Sequence, residues 1–286
     1  MATGGGASDT VASAERRAAA ARARSAHETS CADRHTALAG TAPTELLRDA
    51  HARIAAVHRS TASCHLAAAR LHDDYVARLA VWAKAQDSPQ PLFMTGVAAA
   101  CGTDSAALTL VGATLDQTTL AASNEPARAA QELEFLLGEG PARDATREAR
   151  PVSAAGATLT ARWPGYGAAL GELGITEVAA VPLSLADICV GALAVFDPGP
   201  GYGPAAFAQV AEALTRSMIL TPDGDPSLYG AVDLRAAVHQ AAGMVAVQQD
   251  CAVADALELI RAHAFAEGTS AGSVAARILR GELHLG

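Results

Sequence analysis

The sequence predicts an α+β protein, with β-rich runs in the middle of the chain between a helical segment and a wholly helical end. Three observations carry this. Residues spaced seven apart from Leu47 to Trp82 follow the pattern of a helix seam. Glu177–Leu185 and Ile188–Phe196 are β-rich runs separated only by Ala186–Asp187, the spacing of a hairpin. From Asp233 onward the apolar residues repeat at helical spacing in three blocks.

The chain has 286 residues, room for one or two domains with substantial cores. Half of it is hydrophobic, but aromatics make up only 4%, and much of the apolar count is alanine, which buries little area. Residues 1–40 are rich in Ala, Arg, Gly, Ser and Thr with few large apolar side chains, and are expected to be a disordered or only partly helical tail.

Residues 41–84 form the helical, coiled-coil segment. Leu47, Ile54, Thr61, Ala68, Tyr75 and Trp82 occupy one seam position, and Ala50, Val57, Cys64 and Leu71 the other. Such a seam predicts a homodimer, because a partner helix must cover it. His51, His58, His65 and His72 form a second stripe at the same spacing. Successive members lie about 10.5 Å apart along the helix, too far for one helix to bring two to a single metal, so the stripe reads as a solvated polar flank, with pH sensing or metal binding between subunits as the alternative.

From Asp87 the pattern mixes strands and helices. Ala106–Val111 and Thr118–Ala122 read as strands, Ala127–Leu137 as a helix, Pro151–Val152 as the start of another strand, and Pro204–Leu220 as a helix. TPDGDPSLYG is a linker. Asp233–Gln249, Ala252–Ala266 and Ser270–Arg280 are the final helices, with Asp233 the expected cap of the first.

The chain carries a net charge of −9, and residues 85–222 hold most of the excess, with six basic against fourteen acidic residues. That segment is a poor polyanion binder. Cys31, Cys64, Cys101, Cys189 and Cys251 are scattered and form no CxxC pair, which argues for free thiols rather than a disulfide framework or structural zinc. The absence of a long apolar run and of a signal-peptide pattern predicts a cytoplasmic protein with no membrane contact. No GxSxG, HExxH or GxxxxGK[ST] motif occurs, and GEGP at Gly138–Pro141 lacks the Lys-Ser/Thr end of a phosphate loop. The expectation is a protein that is not an enzyme, with no metal site and no assignable cofactor.

QELEFLLGEGPARDATREARPV, then RWPGY, then GITEVAAVPLSLADICVGALAVFD, resemble a GAF domain over residues 85–222. The resemblance implies a central antiparallel sheet with flanking helices that binds a small-molecule ligand or mediates dimers. Cys101, Leu110, Phe135, Trp163 and Tyr166 are the candidate pocket residues, and a plain apolar core explains each as well. Ala142 stands where related sequences often carry cysteine, which makes thiol sensing there less expected.

Residues 233–286 resemble an ANTAR domain, a three-helix RNA-binding module of transcription antitermination regulators. Arg235-x-x-Val238-x-Gln240-Ala241-x-Gly243-Met244, Ala256-Leu257-x-x-Ile260-Arg261-x-x-Ala264 and Val274-Ala275-x-x-Ile278-Leu279 carry the resemblance, with Ala242 in place of the family lysine. It implies a dimer whose output domains bind paired RNA stem-loops in nascent leader transcripts. Gln240 is expected to hydrogen-bond loop bases, Gly243 to permit close approach, and Arg235, Arg261 and Arg277 to contact phosphates or stack on bases. Gly243 has two open readings, helix–helix packing or RNA approach, because a helix-interior glycine costs about 1 kcal/mol relative to alanine.

Together these features predict an antitermination regulator in which a GAF sensor controls RNA binding. The second reading is a protein-interaction or stress regulator whose ANTAR-like segment no longer binds RNA. An RNA gel shift separates them.

Overall fold

The computed structural model describes residues 4–85, 90–112, 115–185, 188–216 and 233–285. It is an α+β architecture built on one antiparallel sheet. The strands are β1 Ser105–Val111, β2 Gln117–Ala122, β3 Val152–Ala155, β4 Glu177–Leu185, β5 Ile188–Phe196 and the two-residue β6 Asp233–Leu234, in the order β3-β4-β5-β1-β2-β6. The expected β4–β5 pair forms over its whole length, from Val178↔Phe196 to Leu185↔Ile188, while its turn lies outside the described residues.

Both sheet faces are covered, which explains why β4 and β5 read as nearly continuous apolar runs. Successive side chains alternate sides. On one face Val181, Leu183, Leu193 and Val195 pack with α3 (Phe93–Ala100) and α8 (Pro204–Leu214). On the other, Val178, Ala180, Ala192, Ala194 and Phe196 pack under α4 (Glu125–Leu137), α5 (Pro141–Glu148), α6 (Ala157–Arg162) and α7 (Pro164–Glu172). Residues 217–220 of the expected α8 and the linker after them lie outside the described residues.

The amino-terminal segment is not a disordered tail. Gly4–Thr41 forms a 38-residue helix, α1, which folds back antiparallel on α2 (Glu45–Ala85). Its seam is made of alanine: Ala14, Ala18, Ala21 and Ala32 on α1 and Ala55, Ala62 and Ala69 on α2 are all buried. Ser25 Oγ donates to Ala62 O at 2.9 Å, a contact that requires close backbone approach. Small residues replace bulk with proximity, and for that reason the segment lacks the large apolar residues by which a packed helix is recognised.

The heptad seam of α2 is divided. Cys64, Ala68, Leu71 and Tyr75 are buried, with Ala68, Leu71 and Tyr75 joining the core beside α3 and α8. Leu47, Ile54 and Val57 instead face outward, Val57 at 64% exposure. The histidine stripe is also not a solvated flank, since it turns toward α1: His51 meets His35 and His58 meets Glu28.

The carboxy-terminal unit is α9 (Ala236–Gln249), α10 (Val253–Glu267) and α11 (Ala271–Leu279) around one small core. Asp233 does not cap α9. It pairs with Leu120 in β6, and Arg235 occupies the cap position. The residues before α9 thus extend the edge of the sheet and tie the three helices to it. No helix among the described residues is long and apolar enough to cross a membrane.

Candidate functional site

The core of the three-helix unit contains a residue from outside it. Phe135, near the end of α4, is 2% exposed and packs with Val238, Ala242, Ile260 and Ala264. The α4 sequence explains its placement, because Gln131 and Glu134 face the sheet domain while Glu132 and Phe135 turn toward α9–α11.

Two guanidinium groups pack on this ring. The Arg235 Cζ lies 3.9 Å from the ring centroid and that of Arg261 4.3 Å. Both arginines are buried, Arg235 completely. Arg235 Nη1 is 2.8 Å from Glu132 Oε2, an ion-pair distance without hydrogen-bond alignment, so none of its guanidinium nitrogens has a hydrogen-bond partner among the described residues. The π face of Phe135 and the Glu132 charge are what compensate its burial. Arg261 Nη1 donates to Glu258 Oε1 at 2.6 Å, and burial holds its pKa below the usual arginine value.

Glu132 has a second task. Its Oε1 accepts the backbone N–H of Ala271, the first residue of α11, at 2.8 Å, where a carboxylate also meets the positive end of the helix. Arg235 N donates to Thr118 O, and His239 Nε2 sits 3.1 Å from Gln117 O, which requires the proton on Nε2. Side chains and backbone therefore lock α9 and α11 to α4 and β2.

On the other side of α4, Thr109 Oγ1 donates to Gln131 Oε1 at 2.6 Å, and Gln131 Nε2 donates to Glu134 Oε2 at 2.9 Å. Glu134 Oε1 accepts Arg143 N at 2.6 Å and so caps the start of α5. Gly140 is required beside it: its φ is +154°, and a Cβ there would come within 2.6 Å of the Glu134 side chain. Burial pushes the Glu134 pKa up to about 7, against the lowering effect of these hydrogen bonds. A cavity of about 20 Å³ adjoins Thr109, Glu134, Phe135, Arg143 and Thr146, room for about one water.

Compared with family models, curated proteins and solved structures, the chain matches none. The site must therefore be read from its own geometry. The five expected pocket residues do not converge on one cavity. Cys101 and Leu110 belong to the core on the α3 side of the sheet, Trp163 and Tyr166 to that on the opposite side, and Phe135 to the three-helix core. Burial raises the Cys101 thiol to about 12, and the Tyr166 hydroxyl is buried without a hydrogen-bond partner among the described residues.

The expected RNA-contact residues also separate. Gln240 and Gly243 lie on the outer face of α9 with Met244 and Val247, the last 84% exposed. A Cβ on Gly243 would meet nothing within 4 Å, so this glycine serves no helix packing here. Ala242 is fully buried, and a lysine there would enter the core instead of adding a surface cation. Arg277 Nη1 donates to Glu267 Oε2 at 2.5 Å. Arg235 and Arg261 are closed against Phe135, and in this arrangement neither offers its guanidinium to a nucleic acid. Sequence reasoning missed Glu132 and the part played by Phe135, whose partners lie a hundred residues or more away along the chain.

Proposed function

We infer that the protein is a cytoplasmic, non-enzymatic transcription antitermination regulator whose GAF-like sheet domain holds an ANTAR-like three-helix output unit closed. The observation that carries this reading is the packing of Arg235 and Arg261 on Phe135. Two cations suited to phosphate contact and base stacking are stored at the domain junction, next to the carboxylate that ties down α11. Release would free both guanidiniums while leaving Gln240 and Gly243 on an already open face.

The sensor side adjoins the same helix. Glu134 borders the small cavity in the sheet domain and Phe135, next in sequence, fills the output core. A small ligand that enlarges that cavity would move α4 and disturb both. The partner is an RNA with paired stem-loops in a nascent leader, engaged by a homodimer that covers the outward Leu47, Ile54 and Val57 of α2.

One observation favours the second reading, a protein-interaction regulator without RNA affinity. Every arginine of residues 233–285 lies on a carboxylate: Arg235 on Glu132, Arg261 on Glu258, Arg277 on Glu267 and Arg280 on Glu282. A gel shift with paired-hairpin RNA decides between them, using the wild type and Phe135→Ala. The antiterminator reading expects binding that tightens about tenfold or more in the variant, the effect of losing about 1.4 kcal/mol of closed-state contact. No binding by either protein, with the variant's three-helix unit still folded by circular dichroism, rules out the antiterminator reading and leaves the second.

A further inference from the structure

Five histidines line the seam of the α1–α2 hairpin, and three of them, His35, His51 and His58, are in contact. His35 comes from α1, and His51, His58, His65 and His72 from α2. His35 Nδ1 lies 3.0 Å from His51 Nδ1. Such a contact holds when one nitrogen carries a proton and the other presents a lone pair, and it fails when both are protonated, because two N–H groups then oppose each other. The His35 ring also stacks on His58 at 5.7 Å. His72 is only 3% exposed, sits 5.4 Å from the Phe93 ring of α3, and leaves Nδ1 without a hydrogen-bond partner among the described residues.

The charges around these rings offer little compensation. His35 faces His51 and His58, with Arg34 on its own helix. His65 faces Arg24 and Glu28 of α1 and Arg216 just past α8. His72 faces Arg17 of α1, with Asp73 beside it on α2. The two acids in this set are already engaged: Glu28 Oε2 is 2.6 Å from His58 Nδ1, and both oxygens of Asp73 accept from Arg22.

We propose that the α1–α2 hairpin is a proton-operated strap: charging His35, His65 and His72 on acidification releases α1 from α2 while the sheet core stays folded, and this uncovers the alanine seam. Burial is the main cause that holds all three rings toward the neutral form, lowering His72 to about 4 and His35 and His65 below the ordinary histidine value. A released histidine titrates near its ordinary value of about 6.5, so below that pH the released state binds more protons than the packed one. Packing of α1 is therefore fully present above about pH 6.5 and weakens continuously down to the value of about 4 for His72. This inference does not depend on what the three-helix unit binds.

Amide hydrogen exchange of the full chain, read by mass spectrometry between pH 7.5 and 5 and corrected for the intrinsic pH dependence of exchange, tests the proposal. Peptides from residues 4–41 should lose protection by up to about 30-fold, the linkage effect of His72 alone at these two pH values. Peptides covering residues 177–196 should keep theirs. The combination His35→Gln, His65→Gln and His72→Leu should hold the α1 loss to less than about threefold; if it does not fold at pH 7.5, the pair His35→Gln and His65→Gln should still reduce the loss. Equal α1 protection at both pH values, simultaneous loss from the sheet, or an undiminished loss in the folded variant would overturn it.

Discussion

Arg235 and Phe135 are in van der Waals contact across the junction between the sheet domain and the three-helix unit, with the guanidinium carbon 3.9 Å from the ring centroid. The ring is part of the three-helix core and the arginine is fully buried behind it, so neither unit is complete without the other. Glu132, one turn earlier on α4, supplies the neutralising charge. Helix α4 and the β2–β6 edge thus both connect the sheet domain to the three helices.

Glu132→Ala should be strongly destabilising. It leaves Arg235 buried with no counter-ion and strips the N–H of Ala271 of its acceptor. Removal of one partner of a buried pair costs about 3–5 kcal/mol. Chemical denaturation should show a loss in that range, with Glu132→Gln intermediate because it can keep the hydrogen bond to α11. A loss of only a few tenths of a kcal/mol for Glu132→Ala would mean that Arg235 is solvated.

Gly243→Ala should raise the melting temperature. Nothing lies within 4 Å of the added methyl group, and replacing a helix-interior glycine with alanine stabilises by about 0.5–1 kcal/mol. Ala242→Lys should do the opposite, since it forces an ammonium group into a fully buried position. A lower melting temperature for Gly243→Ala would restore helix packing as the reason for the glycine.

Glu134 gives the stability a specific dependence on pH. Its folded pKa is raised from the ordinary glutamate value of 4.5 to about 7, so the folded state holds its proton more tightly than the unfolded chain does. The contribution is fully present below about pH 4.5 and is lost as pH rises toward 7, by an amount on the order of 3 kcal/mol. Glu134→Gln, which cannot ionise, should gain stability relative to the wild type as pH rises from 4.5 to 7.5. A constant difference between the two proteins over that range would show that the carboxylate is solvated.

The sheet was legible in the sequence wherever strands were apolar and bounded, as in the β4–β5 pair, which needs only neighbouring residues for its register. Helix α1 was hidden because alanine packs by close approach, and an alanine-rich stretch looks the same whether it has a partner or not. Asp233 presented an ordinary cap residue before a helix, but pairing with Leu120 took precedence. Of the candidate site, Gln240 and Gly243 do occupy one open face, whereas the burial of Arg235 and Arg261 depends on Phe135, a partner that periodicity cannot supply. The histidine stripe had the right spacing, and its environment became readable only with His35 brought against it by the fold.

The most direct test of the stored-arginine account is the salt dependence of RNA binding in the released protein. Binding of a paired-hairpin RNA by Phe135→Ala should be measured over a range of salt concentrations and compared with the same variant carrying Arg235→Gln or Arg261→Gln. Each arginine that reaches a phosphate should contribute about 0.7–0.9 to the log–log slope, so each added substitution should make the slope shallower by up to that amount. Identical slopes in all three proteins, with RNA still bound, would contradict the claim that the junction stores these two cations for RNA.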